Sequence, residues 1–249
     1  LGWWEILFAP LPHLRGKLAL RLTIRTVLFL FRSRIRAIHG AERLNTAAAP
    51  VLFVANHSQR LEAVILPALL TFLGKGRNVH FFADWNFLVI PVLGWILSLN
   101  EPIVVVRKDL RPRFLNWIKP YYAAAADPMN RALLHLRLHE PVGIFLEGTA
   151  NRARSCMLRG LTGGARLSLE SGSTVIPIGI RFDPHPAGRP ISDLEAFEIH
   201  VGEPLRPPRI PLPGRTDISA WHGRLCQSLS ALSGKPWTAK NPRTRNEIE

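Results

Sequence analysis

The sequence predicts an α/β fold: a mixed, largely parallel central sheet flanked by helices and preceded by an N-terminal interfacial helical segment. Three observations predict it. Short apolar runs of strand length recur along the chain, helical patterns separate them, and polar turns close two of them. With 249 residues and 47% hydrophobic composition, the chain is long enough to bury a sizeable core.

Residues 1–38 read as helical, with Pro10 and Pro12 marking a break between two helices. The stretch 18–31 is strongly apolar, but Arg21 and Arg25 interrupt it, and no run of about 18 uncharged apolar residues occurs. Its apolar residues mix with Arg21, Arg25, Arg32, Arg34 and Arg36, which suits a helix lying among lipid headgroups with arginines reaching phosphates. Trp3, Trp4 and Phe8 add interfacial aromatics. A core helix with solvent-facing arginines is the competing reading.

Pro50 precedes the apolar strand 51–55, which ends in Asn56-His57-Ser58 and passes into a helical pattern through Leu61, Val64, Ile65, Ala68 and Leu69. A second strand falls at 79–83. The apolar segment 87–97 is too short to span a bilayer, and Pro91 and Gly94 disfavour one long helix; it reads as a buried helix or a re-entrant hydrophobic wall. Residues 103–106 form a strand ending at Arg107, and 111–127 read as irregular and aromatic. A helix at 129–139 leads to the strand 142–146, then to Glu147-Gly148-Thr149 and a basic loop. A short helix at 164–171, strands at 174–182 and 197–201, and an amphipathic helix at 218–232 complete the pattern. The expected organisation is a membrane-associating segment over 1–40, a main domain over 41–235 and a polar, disordered tail over 236–249.

Thirty-two Lys and Arg against 18 Asp and Glu give a formal charge of +14 and attract anionic partners, whether nucleic acid, anionic lipid or phosphorylated substrate. Cys156 and Cys226 make no disulfide framework and read as free thiols. No HExxH pattern occurs, so neither a metal nor a cofactor is expected.

Two polar turns carry the chemistry, Asn56 to Glu62 and Glu147-Gly148-Thr149, both after apolar strands, where ligands collect in open α/β sheets. On one regular helix His57 and Glu62 would point about 140° apart. They meet only if His57 lies in the turn and Glu62 in the first turn of the helix. A carboxylate on one imidazole nitrogen then fixes the tautomer, leaving the other nitrogen as general base. On spacing alone, a capping or core histidine is the favoured reading. GxSxG is absent and Ser58 lacks an elbow context, so a substrate hydroxyl is the expected attacking group.

At this point the chain resembles the bacterial glycerolipid acyltransferase superfamily, which includes lysophosphatidic acid acyltransferases. Four blocks match in order: Val54-Ala55-Asn56-His57-Ser58 with Glu62, Ile103-Val104-Val105-Val106-Arg107, Phe145-Leu146-Glu147-Gly148-Thr149, and Val175-Ile176-Pro177-Ile178-Gly179-Ile180. Arg159-Gly160, Gly164 to Leu167 and Val201 to Leu205 also fit, so the resemblance covers about residues 50–205. It implies a glycerol-3-phosphate acyltransferase-like fold, an acyl-CoA or acyl-carrier-protein donor and a lysophospholipid acceptor, most simply 1-acyl-glycerol-3-phosphate. His57 would be the base and Glu62 its orienting carboxylate. Arg107 would hold an acceptor phosphate, Arg159 would belong to the basic loop, and Glu147, Gly148 and Thr149 would shape the acceptor pocket. The implied location is a membrane surface, on the cytoplasmic face of a bacterial inner membrane.

Two positions depart from the pattern. Glu62 stands for the usual aspartate. Ala150 stands for the usual arginine after the third block, leaving Arg152 as its substitute or pointing to an aminolipid or other hydroxyl acceptor. Two rivals remain: a nucleic-acid-binding module, supported by charge alone and by no known binding pattern, and an inactive lipid-binding relative. No nucleic-acid partner is expected.

Overall fold

In the computed structural model, which describes residues 1–45, 50–107, 109–110, 113–123, 127–184 and 189–243, the apolar runs assemble into one seven-stranded sheet. The strands are β1 (Ile35–His39), β2 (Val51–Ala55), β3 (His80–Asp84), β4 (Ile103–Val105), β5 (Val142–Phe145), β6 (Thr174–Arg181) and β7 (Phe197–Val201), in the order β1-β7-β6-β2-β5-β3-β4. From β6 to β4 every pairing is parallel. β7 pairs antiparallel with β6, and β1 parallel with β7, so the sheet is mixed but largely parallel. Five strands therefore present their carboxyl ends on one edge, and both polar turns emerge there from neighbouring strands, with Ala55 in register with Phe145.

Helices cover both faces, which is why the central strands read as continuous apolar runs. Helices α1 (Trp3–Phe8), α2 (Leu18–Phe31) and α3 (Glu62–Leu73) cover one face, together with Phe53, Ala55, Ile176, Ile178 and Ile180 from the sheet. Two short helices, α4 (Trp85–Leu88) and α5 (Pro91–Leu99), break at Val89-Ile90, and α6 (Lys119–Ala123) follows β4. Helices α7 (Pro128–Arg137), α8 (Gly163–Ser171) and α9 (Arg215–Ser233) pack on the other face against Leu52, Val54 and Val175. Alternate strand residues thus face opposite cores. α9 crosses β6 at Gly179, where a Cβ would lie 2.3 Å from the Leu232 Cβ and 2.5 Å from its backbone carbon.

The fold differs from the sequence reading in four places. Residues 35–39, expected to end a helical segment, are strand β1: pairing with β7 outweighs the helical pattern before them and ties the N-terminal segment to the sheet. The region 111–127, expected to be irregular, carries a 3₁₀ segment (Arg113–Ile118) and α6, while residues 111, 112 and 124–126 lie outside the described residues. The expected disordered tail is hydrogen-bonded over part of its length, with Met157 N–H donating to Pro236 O and Arg159 N–H to Pro242 O; residues 244–249 lie outside the described residues. Most of the arginines assigned to lipid headgroups bond to the protein instead. Arg25 donates to the carbonyls of Ile6 and Ala9 at the end of α1, Arg32 to Phe29 O, Arg34 to Leu194 O, and Arg36 pairs with Asp183.

No described helix is long and apolar enough to cross a membrane. Both cysteines are free, and burial pushes the Cys226 thiol up to about 12, which removes it as a nucleophile at ordinary pH.

Candidate active site

β2 ends at Ala55 and the chain turns through Asn56-His57-Ser58 before α3 begins at Glu62. A carboxylate on the first residue of a helix sits where the orphan N–H groups and the macrodipole favour negative charge. From there Glu62 reaches back: its Oε2 lies 2.8 Å from His57 Nδ1 and accepts the Ser58 N–H at 2.7 Å. A carboxylate oxygen already accepting an amide N–H accepts the Nδ1–H as well, which leaves Nε2 with its lone pair. Glu62 is fully buried, whereas the His57 side chain keeps 13% of its surface open. The imidazole stacks on Phe145, with ring centroids 4.3 Å apart.

The second turn locks the first. Glu147 Oε1 accepts the His57 N–H at 3.0 Å, and Asn151 N–H donates to His57 O at 2.8 Å, so the histidine backbone is clamped on both sides. Glu147 Oε2 accepts from Asn151 Nδ2 and Leu158 N, each at 2.8 Å. Burial pushes the Glu147 carboxyl up, opposed by Lys235 and by these three N–H donors. Gly148 turns the chain with φ +67°, and a Cβ there would lie 2.5 Å from Leu161 Cδ1. Asn56 joins β2 to β6: its amide accepts from Ile180 N at 2.7 Å and donates to Ile180 O at 3.0 Å.

The residues expected in the site separate into groups. His57 and Glu62 meet side chain to side chain. Glu147 has both its oxygens occupied, by the His57 and Leu158 backbone N–H groups and by the Asn151 side-chain amide. Thr149 and Ala150 follow Gly148, half-buried. Arg107 is exposed and makes no bond to a described residue; its Nη1 lies 3.7 Å from where a Cβ on Gly148 would be. Arg152, expected to substitute for the missing arginine, instead pairs with Asp193. Arg154 forks onto Glu195, with Nη2 2.6 Å from both oxygens. Arg159 is exposed, while its carbonyl accepts from His222 Nε2 and Trp237 Nε1.

Sequence reasoning placed Asn56 in its turn without a role, and missed Asn151, Asp193, Glu195 and Lys235. Asn56 and Asn151 lie beside the two turns, where a fully buried amide signals a structural bond. The others approach from distant segments without local pattern.

Among the described residues, two His/Glu clusters lie outside these turns: His39, Glu198 and His200, and His80, His135 and Glu140. In each the two imidazoles stack face to face, 4.5 Å and 3.9 Å between centroids, so their in-plane lone pairs run side by side rather than converging on an ion. His135 and His139 are four residues apart, but α7 ends at Arg137 and His139 has φ +60°, so they do not share a helical face.

Residues 35–181 match the family model described as Acyltransferase. The chain is 27% identical over 142 residues to the chloroplastic 1-acyl-sn-glycerol-3-phosphate acyltransferase LPAT1 of Arabidopsis thaliana, a match covering 57% of this chain and 34% of that protein. It is 28% identical over 144 residues to a 1-acyl-sn-glycerol-3-phosphate acyltransferase of Chlamydomonas reinhardtii, covering 57% of this chain and 37% of that one. These matches span only about a third of each relative's length. The crystal structure of the 1-acyl-sn-glycerophosphate acyltransferase PlsC from Thermotoga maritima superposes with a TM-score of 0.59 at 15% identity, covering 89% of this chain and 82% of that one, a likeness of fold.

Proposed function

The chain belongs to the acyltransferase family, and on that premise we propose that it moves a fatty acyl group from an acyl thioester to a lysophospholipid hydroxyl. The observation that carries this reading is the His57–Glu62 pair at the carboxyl edge of the sheet, with Nδ1 tied at 2.8 Å and Nε2 left as an acceptor. Ser58 beside it is fully buried and its Oγ accepts from Lys235 Nζ, so it is not placed to attack. In this reading the acceptor hydroxyl gives its proton to His57 Nε2 and its oxygen adds to the thioester carbonyl. The tetrahedral adduct expels the thiolate, which takes the proton back from the imidazolium. Products are an ester and a free thiol, and the ring ends as it began.

1-Acyl-glycerol-3-phosphate is the proposed acceptor, since the curated relatives described above bear that substrate's name. Arg107, exposed beside Gly148, is the proposed phosphate ligand. A second reading, a neutral or aminolipid acceptor, is favoured by one observation: Arg152 and Arg154 are both spent on carboxylates. Either acyl-CoA or acyl-carrier protein fits as donor. Membrane-surface binding is proposed from the exposed apolar side chains Trp3, Trp4, Phe8, Leu22 and Leu30 of α1 and α2. The proposed location is the cytoplasmic face of a bacterial inner membrane.

The experiment is an acceptor and donor screen on vesicles, read by thiol release and by mass spectrometry of the lipid product. Phosphatidic acid formed from lysophosphatidic acid supports the first reading; product only from unphosphorylated or amino acceptors supports the second. His57→Ala is expected to lower turnover by about 10²–10⁴-fold while vesicle binding persists. Wild-type turnover in that variant would remove His57 from the reaction.

A further inference from the structure

Lysine is almost never fully buried unless paired, yet Lys235 is only 4% exposed. It follows Gly234, whose φ of +73° ends α9 and turns the chain toward the active-site edge. Its Nζ donates to Ser58 Oγ at 2.8 Å and to Asn151 O at 3.1 Å. Those acceptors belong to the two turns that hold the catalytic pair. Ser58 follows His57 and gives its N–H to Glu62, and Asn151 gives its N–H to His57 O. One ammonium thus links both turns from a position 177 residues beyond Ser58.

The charge environment is equally specific. Burial is the largest effect and holds the Lys235 ammonium below its ordinary value; the Glu147 and Glu62 carboxylates and Cys156 oppose that lowering, and Arg154 adds to it. Cys226 lies on the α9 side of Glu147. With both carboxylates ionised, Lys235 cancels one of two buried negative charges, and an imidazolium at His57 cancels the other. A buried ion kept at a large desolvation cost would be replaceable by an apolar side chain if packing were its only task.

We propose that Lys235 is a positioning residue of the active site: its ammonium ties the two turns that carry His57 and is the cation facing Glu62 and Glu147, and so sets the pH range in which His57 acts as a base. This inference rests on His57 acting as base in acyl transfer. Without the cation, the Glu62 carboxylate bonded to the ring and the Glu147 carboxylate bonded to the His57 backbone N–H lose their compensating charge, which favours the protonated ring.

Two measurements test it on the full chain. In wild-type protein labelled with ¹⁵N-lysine, the Lys235 Nζ should give an ammonium resonance protected from exchange at neutral pH; a Lys235 amine already neutral at pH 7 would overturn the proposal without any variant. In Lys235→Met, the acidic limb of the kcat/KM profile and the titration of the His57 ring followed by ¹³C NMR should both move up by about one pH unit or more. Lys235→Arg, which keeps the charge, should leave the ring titration in place. An unmoved His57 titration in Lys235→Met, or equal movement in both variants, overturns the charge assignment. The ring titration needs no turnover, so a wild-type protein that releases no thiol with any acceptor would count against acyl transfer separately. If Lys235→Met does not fold, the wild-type Nζ measurement decides.

Discussion

The amide of His57 donates to Oε1 of Glu147 at 3.0 Å, so the carboxylate of one sequence block holds the backbone of another. Asn151 returns the bond by donating its own amide to His57 O at 2.8 Å. The imidazole is therefore fixed twice, through its backbone by the turn after β5 and through its ring by Glu62. Such double fixing suits the proposed role of His57, since a base must be held within the narrow range of positions that proton transfer requires.

Glu147→Gln replaces one accepting oxygen with an NH₂ that must face an N–H donor. The variant is expected to lose about 2 kcal/mol of unfolding free energy, measured by urea denaturation. Turnover should fall with little change in KM, since the carboxylate touches the His57 turn rather than the acceptor. A raised acceptor KM at unchanged stability would return Glu147 to the pocket wall.

Arg107→Ala and Arg152→Ala should behave differently. Arg107 has no described partner, so its loss is expected to raise KM for a phosphorylated acceptor by about 10–100-fold, the worth of a hydrogen bond to a charged group. Arg152 is paired with Asp193, whose carboxyl is held below its ordinary value: burial opposes this, but the Arg60 N–H and Arg152 prevail. Arg152→Ala should lower stability and leave KM nearly unchanged. The opposite ranking in KM would identify Arg152 as the phosphate ligand.

Two buried histidines make stability depend on pH. His80 and His222 are held below 6.5 by burial, against the raising effect of their bonds to Glu101 O and Arg159 O; His135 and Arg159 lower them further, and Glu140 and Glu101 act the other way on His80. Cys226 Sγ also faces His222, 3.4 Å from Nε2. Because the folded values lie below the unfolded one, the unfolded chain takes up protons first as pH falls. Stability from these groups is complete above about 6.5 and declines as pH falls through that value toward the folded ones. Urea midpoints at pH 7.5 and 5.5 should show this, and His222→Gln should reduce the difference.

Much of the site was legible because its signals are local. A buried parallel strand is a continuous apolar run, and the turn after it must be polar, so β2 with Asn56-His57-Ser58 and β5 with Glu147-Gly148-Thr149 stand out in one dimension. The geometry requiring His57 in the turn and Glu62 at the helix start followed from helical periodicity, and the 2.8 Å contact satisfies it. Strand β1 was less legible: its burial follows no strict alternation, and pairing with β7, far along the chain, makes it a strand.

The sequence by itself determined the α/β class, the order of the six strands β2 to β7 along the chain and the two turns that hold His57, Glu62 and Glu147, because backbone periodicity and turn chemistry act over a few residues. Tertiary structure decided which charges are free and which are spent. Asp193 and Glu195 claim Arg152 and Arg154 from about forty residues away, and Lys235 arrives beneath Ser58 from the end of α9. Ion pairs and buried hydrogen bonds depend on proximity in space, and no repeat or spacing in a linear chain records which distant carboxylate will fold against a given cation.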